Sequence, residues 1–248
     1  MIVVAFTDCY DAAVEIMTNS AKYKIDDQRI VISGDSAGGQ LALSVGMELT
    51  QNGFAVKGIV PLYPVTQIVT STTRSYMEKD YAIIRDGVAW AASMYVYGDL
   101  RLLKEYQNGE VFNAALSYNK DLISDRFQYN DEDYTFAMTT KSSQLDNRGF
   151  EAIFDVRVSP LLASDSVLKD LPPTHIYAAE HDVLRDDSIL FYNAAKKAGN
   201  LNIKLTLWKG AYHMEQAFTK YWLNFSIMPQ SDSWMTDYLN TIVAFANA

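Results

Sequence analysis

Cysteine is almost missing from this chain. Cys9 is the only one in 248 residues, which excludes an internal disulfide framework. With nothing nearby in sequence to activate its thiol, Cys9 is expected to be half-buried and inert. Histidine is nearly as scarce. His175, His181 and His213 show no paired ligand spacing, so no metal site is expected. With 6 Pro and 12 Gly against 49% apolar residues, disorder, collagen and low complexity are excluded and a buried core is within reach. Long hydrophobic runs are lacking too: nothing approaches about 18 consecutive apolar residues, and the opening Met1 to Phe6 run is too short and lacks the basic flank of a signal peptide. As written, the sequence carries neither membrane anchor nor address. Positive charge is in deficit, 21 Lys and Arg against 30 Asp and Glu for a net charge of −9. Nucleic acid is therefore not an expected partner, since phosphate binding needs a basic surface.

What is present reads as one α/β domain spanning residues 1–248, without repeats or a linker. Asp8 to Lys24 carries Tyr10, Ala13, Val14 and Met17 at helical spacing. Arg29 to Ser33 is a short β-branched run that meets Gly34, the pattern of a buried parallel strand. Leu41, Leu43, Val45, Met47 and Leu49 alternate as a strand would, but the length and the Ala and Gly content favour a helix from Ala37 to Gln51. Further strands are expected at Gly58 to Tyr63, Thr174 to Ala179 and Ile203 to Trp208. A helix from Ser188 to Ala198, with Asp187 as its cap and Gly199 as its stop, separates the last two. Ser231 to Phe245 supplies a closing helix. Alternating strands and helices predict a mainly parallel sheet covered on both faces. Between the second and third strands lies far more chain than a crossover needs. Residues 65–159 contain no proline and read as mainly helical, so an inserted cap is expected at about residues 68–158.

Gly34-Asp35-Ser36-Ala37-Gly38 is a G-x-S-x-G pattern. A serine on a tight strand-to-helix turn has strained backbone angles, and small residues two positions either side let the turn close with the hydroxyl exposed. Alone the pattern is common; the strand before it and the helix after it give it meaning. The helix also points its first amide, Ala37 N–H, where an oxyanion would develop. A serine hydroxyl needs a base and the base needs an orienting acid, and in this arrangement the chain order is Ser, acid, His. Asp182 stands just past the third strand and His213 a few residues past the fourth, both at the sheet edge that carries Ser36. Asp186 and Asp187 are read as the start of the next helix, His175 as a packed strand residue and His181 as a loop residue. Asp131-Glu132-Asp133 reads as a solvated acidic turn, and the tyrosines of the middle region as packing.

The helix-to-elbow stretch Ile25-Asp26-Asp27-Gln28-Arg29-Ile30 with Gly34 to Gly39, then Tyr63-Pro64, Asp155 to Ala163 and Asp182-Val183-Leu184-Arg185-Asp186-Asp187 resemble the hormone-sensitive lipase branch of the α/β-hydrolases, arylacetamide deacetylases most of all. The resemblance implies an α/β-hydrolase fold and a cofactor-free serine esterase or lipase acting on neutral lipophilic esters, with arylamides or acylglycerols as further substrates. It maps the nucleophile to Ser36, the acid to Asp182 and the base to His213. It also implies, for the full-length form, an N-terminal anchor in the endoplasmic reticulum membrane with the catalytic part on the luminal side. Asn224-Phe225-Ser226, the one N-glycosylation sequon, would matter only in the secretory pathway.

Two departures from the family stand out. Met214 follows His213 where the family usually has glycine, and no His-Gly-Gly-Gly stretch precedes Ser36. The first four strands of the family sheet and its anchor are thus expected to have no counterpart in this sequence, leaving the edge of the Arg29 to Ser33 strand open and Ala37 as the main oxyanion donor. On that expectation the chain alone would be a slow, aggregation-prone enzyme. A catalytically silent shortened form and a non-catalytic hydrolase-like binding module remain as alternatives to an active esterase.

Overall fold

The computed structural model describes residues 4–79, 83–128, 139–223 and 229–248. The acidic run Asp131 to Asp133 and the sequon at Asn224 lie outside the described residues. Two N-terminal helices, α1 (Val4–Thr18) and α2 (Ser20–Tyr23), lead to β1 (Ile30–Asp35), α3 (Ala37–Gln51) and β2 (Val56–Leu62). Six helices follow: α4 (Arg74–Glu78), α5 (Arg85–Tyr97), α6 (Leu103–Gln107), α7 (Glu110–Tyr118), α8 (Lys120–Arg126) and α9 (Asn147–Phe154). The chain then runs through α10 (Asp165–Lys169), β3 (Thr174–His181), α11 (Arg185–Lys197), β4 (Ile203–Tyr212), α12 (Lys220–Leu223) and α13 (Pro229–Ala246).

The strands form one parallel sheet in the order β1-β2-β3-β4. Successive side chains of a strand point to opposite faces, and the sequence uses both. Ile59, Ile176, Ile203 and Leu205 pack with Leu43 and Met47 of α3 and with Leu190 and Phe191 of α11. Val60, Leu62, Tyr177, Ala179 and Trp208 face the other way, onto Met235 and Tyr238 of α13. Each large apolar side chain so buried contributes about 1.5–3 kcal/mol, which is why β2 and β3 read as continuous rather than alternating apolar runs. Pro61 leaves a mark on this sheet. Ile59 N donates to Pro173 O at 2.9 Å and Tyr63 N to Tyr177 O at 2.6 Å; the rung between them, from position 61 to the His175 carbonyl, cannot form because proline has no N–H.

The helices between β2 and β3 do not build a core of their own. Val96, Tyr106, Val111, Ile123 and Ile153 belong to the same buried cluster as Leu43 and Ile59, so the insertion is welded to the α3 side of the sheet. No helix among the described residues is long and apolar enough to cross a membrane.

The structure corrects several expectations. Cys9 is exposed, because it falls beside the Phe6, Tyr10, Ala13 and Met17 stripe that packs on Val45 and Leu49. The first helix begins earlier and breaks at Thr18, and Lys24 in the left-handed conformation closes its second part. Every strand is longer than the apolar run that announced it. β3 therefore includes His181, which is paired with Tyr212 rather than lying in a loop. Residue 187 is not a cap: α11 starts at Arg185, and Asp187 is wholly buried within its first turn.

Candidate active site

Ser36 sits between β1 and α3 with φ 57° and ψ −121°, a conformation that strains any residue carrying a Cβ. Three backbone hydrogen bonds hold it there: Ser36 N donates to Leu62 O at 2.9 Å, and Ser36 O accepts from Gln40 N at 3.1 Å and from Val65 N at 3.3 Å. The glycines divide the work unevenly. A Cβ on Gly34 would lie 2.3 Å from Gly38 O, so only glycine lets the turn close there, whereas Gly38 itself has open space. The second crowded position is Gly39, whose Cβ would meet Pro64 Cβ at 3.0 Å. The sequence expectation of small residues two positions either side of Ser36 thus holds sterically at Gly34 and is shifted by one on the far side.

Ser36, His213 and Asp182 come together in one hydrogen-bonded chain. His213 Nε2 is 3.0 Å from Ser36 Oγ, and His213 Nδ1 is 2.7 Å from Asp182 Oδ2. Asp182 and His213 are 1% and 2% exposed. The other carboxylate oxygen, Asp182 Oδ1, accepts from Leu184 N at 2.9 Å. A carboxylate can only accept, so Nδ1 carries the imidazole hydrogen and Nε2 faces the serine hydroxyl as an acceptor. His213 stands directly after β4, not a few residues beyond it, because that strand continues to Tyr212. Ala37 is the first residue of α3 and is exposed, so its N–H lies at the positive end of a 15-residue helix beside Ser36.

The neighbouring carboxylates have other partners. Asp186 pairs with Arg185 at 2.9 Å and accepts from Ser75 N at 2.8 Å. Asp187 accepts from Thr66 N at 2.9 Å and Gln67 Nε2 at 3.1 Å; burial pushes its carboxyl up to about 7. Both therefore tether the start of the insertion to α11. His175 lies away from Ser36, with Nε2 2.8 Å from Thr206 Oγ1 and its ring stacked on Tyr177; it is half-buried, and burial lowers its pKa. Among the described residues no group of three His, Cys, Asp or Glu side chains converges as a metal-ligand set.

Two residues at the site were given no role there by the sequence, although Tyr63-Pro64 is one of the stretches that carry the resemblance. Glu215 is buried, accepting from Tyr212 N at 2.8 Å and from Ser231 Oγ of α13 at 2.5 Å, and so pins the turn that presents His213. Tyr63 lies against His213 with ring centroids 4.4 Å apart. Beside Ser36 an apolar cavity of about 120 Å³ is lined by Ala37, Val65, Ile68, Val88, Tyr95 and Val158, among others.

Residues 2–109 and 120–217 match the family described as the alpha/beta hydrolase fold. Mouse neutral cholesterol ester hydrolase 1 is 31% identical over 219 residues, covering 83% of this chain and 53% of that protein. Bovine arylacetamide deacetylase is 30% identical over 251 residues, covering 95% of this chain and 61% of that protein. The chain thus spans about half the length of the curated relatives it matches. Among solved structures, carboxyl esterase 2 of Tuber melanosporum superposes with a TM-score of 0.66 at 20% identity, covering 99% of this chain and 62% of that one. An esterase of Pyrobaculum calidifontis gives 0.65 at 23%, covering 98% and 61%. At such identities these structures speak for the fold.

Proposed function

Because this chain belongs to the alpha/beta hydrolase fold family, we propose that it is the catalytic part of a serine carboxylic-ester hydrolase acting on neutral lipophilic esters through Ser36, His213 and Asp182. The observation that carries this reading is the unbroken chain from Ser36 Oγ through the imidazole to Asp182, at 3.0 and 2.7 Å. Ser36 Oγ attacks the acyl carbon while its proton passes to His213 Nε2. The carbonyl oxygen becomes an oxyanion that the Ala37 N–H receives, and Asp182 stabilises the imidazolium. Collapse breaks the bond to the alcohol, which leaves with the proton from His213. Water then repeats the sequence on the acyl-enzyme, releasing the acid and restoring Ser36. All of this uses the chain's own groups and no cofactor.

The substrate class rests on the wall of the site. A cavity of about 120 Å³, lined mainly by apolar side chains with Tyr95 and Gln40 among them, suits a short acyl chain, being somewhat smaller than the apolar cavity of about 150 Å³ that takes benzene. The relatives' names, a cholesterol ester hydrolase and an arylacetamide deacetylase, support reading lipophilic esters as the first substrate class and arylamides as the second.

Ser36→Ala is expected to abolish both hydrolysis of a short-chain aryl ester and covalent labelling by a serine-directed fluorophosphonate. Replacing His213 or Asp182 should lower turnover by about 10⁴-fold or more, with the double variant little worse than the worse single one. Equal labelling of wild type and Ser36→Ala would overturn the assignment.

A further inference from the structure

Tyr63 combines three features that each disfavour a tyrosine. Its φ is +34°, outside the regions open to a residue with a Cβ. Its side chain is 1% exposed, yet its hydroxyl has no hydrogen-bond partner among the described residues, and a buried donor left unmet is destabilising. The charges of Asp35 and Asp182 add to burial in driving its phenol pKa upward, so the group stays neutral and supplies no charge. Neither its backbone conformation nor its hydroxyl explains its presence.

Its neighbours do. Leu62 O accepts from Ser36 N and Val65 N donates to Ser36 O, so the segment Leu62 to Val65 grips the serine backbone from both sides, and Tyr63 stands between the two grips. Pro64 next to it packs on Gly39 in the first turn of α3. Tyr63 N is itself anchored to Tyr177 O at 2.6 Å. From that fixed backbone the aromatic ring lies on the His213 imidazole, centroids 4.4 Å apart at 49°. Tyr63 thus lays its ring on the imidazole while Leu62 and Val65, on either side of it in the chain, hold the Ser36 backbone.

Resting on the reading of Ser36 and His213 given above, we propose that Tyr63 is a positioning residue that couples the two: its backbone lies within the grip on the serine, and its ring sets the height and tilt of the imidazole. The work is done by the ring and not by the hydroxyl. A ring face also suits the imidazolium that forms during the reaction, and displacement of a reacting pair by about 1 Å lowers rates by about 10²-fold.

The test compares Tyr63→Phe, Tyr63→Leu and Tyr63→Gly by fluorophosphonate labelling rate, steady-state hydrolysis of a short-chain aryl ester and thermal unfolding. Tyr63→Phe should react within about threefold of wild type and be at least as stable, having shed an unmet donor. Tyr63→Leu and Tyr63→Gly should label about 10²-fold more slowly, with kcat reduced and KM unchanged. Tyr63→Gly relieves the strained φ and still loses the ring, so slowed labelling there is not an effect of backbone strain, while thermal unfolding reads the cost of the emptied core position separately. A Tyr63→Phe variant slowed more than about tenfold would overturn the proposal by moving the work to the hydroxyl, whether or not the other variants fold. A folded Tyr63→Leu or Tyr63→Gly that labels at the wild-type rate would overturn it equally. If Ser36 of the wild type were not labelled at all, the reading of the site would fall and this inference with it. A reactive wild type beside an equally reactive ring-less variant removes this inference alone.

Discussion

The rim of the sheet and the insertion between β2 and β3 are built on opposite principles. Of the four non-glycine residues with positive φ among the described residues, Ser36, Tyr63 and Met214 lie at the rim. The insertion turns on glycines instead, Gly98 at φ 78° and Gly109 at φ 75°, where such angles are free of strain. Its order comes from apolar packing: Val96, Val111, Ile123 and Ile153 are fully buried in the common core. The rim is held by polar contacts of fixed geometry, with Asp182, Glu215 and Asp187 all buried and hydrogen-bonded. Among the described residues, the strained backbone angles other than that of Lys24 gather around Ser36 and His213, and the insertion shows none at a non-glycine residue.

The contrast breaks most visibly at Gly34. A methyl group there would stand 2.3 Å from Gly38 O and 2.5 Å from Gly38 C, backbone atoms that cannot step aside. Gly34→Ala should therefore open the elbow, abolish fluorophosphonate labelling and lower the unfolding temperature. Gly38→Ala, two residues past the serine, meets nothing within 4 Å and should stay within about threefold of wild-type reactivity; in a helix interior alanine is favoured over glycine by roughly 0.5–1 kcal/mol. If the two variants behaved alike, the elbow would not be the rigid element described.

That asymmetry also shows what the sequence can and cannot convey. The α3 span, Ala37 to Gln51, was legible end to end, because strand, glycine turn and helix are neighbours in the chain. So were the positions of Asp182 and His213 at the correct sheet edge, which follow from parallel strands ending on one side. The partners of Asp186 and Asp187 were not legible. Apart from Arg185, which pairs with Asp186 from the next position, they are Ser75, Thr66 and Gln67, more than a hundred residues away, and nothing local to α11 announces a buried carboxylate. Nor was Tyr63: a strained turn is read from glycine, and here tyrosine occupies it. The strand ends were missed for a related reason. β4 runs on from Trp208 through exposed Lys209 and Gly210 and buried Ala211 to exposed Tyr212, a stretch too short of apolar residues to announce a strand, and its pairing with β3 supplies the order that its composition does not.

The insertion offers the complementary break. Ile123→Ala removes a fully buried side chain from α8, far from the strained turns, and should lower stability by about 2–5 kcal/mol. The folded fraction should still be labelled within about threefold of the wild-type rate. Loss of reactivity without loss of stability would mean that the insertion, too, positions reacting groups.

Asp187 joins the two regions, since it belongs to α11 and holds Thr66 and Gln67 at the root of the insertion. Its folded pKa is raised to about 7 by burial, against roughly 3.9 for an unfolded aspartate. The folded state therefore binds the proton more tightly than the unfolded state does. Its contribution to stability is fully present below about pH 4 and is lost as the pH climbs through 7. Asp187→Asn, which does not titrate, should flatten the fall in unfolding temperature between about pH 4 and 7. An unchanged slope would show that the carboxyl is ionised in the fold and paired more strongly than its burial suggests.

The smallest expected effect lies beside His213, the proposed base. Met214 follows His213 in the left-handed conformation, φ 63° and ψ 14°, and its side chain is half exposed, so packing gives little in return for the strain. Glycine takes this conformation freely, whereas a residue with a Cβ loses roughly 1–2 kcal/mol there. Met214→Gly also makes the unfolded chain more mobile, which offsets part of the gain. The net expectation is about 0.5–1 kcal/mol of added stability, or roughly 1–4 °C in unfolding temperature for a chain of this length. His213 should remain in place, because the turn behind it is pinned by Glu215 to Tyr212 N and Ser231 rather than by the methionine. Labelling of Ser36 should then be unchanged. A more stable variant with slower labelling would show instead that the strain at position 214 is part of how the imidazole is aimed, and would extend the strained rim by one more working residue.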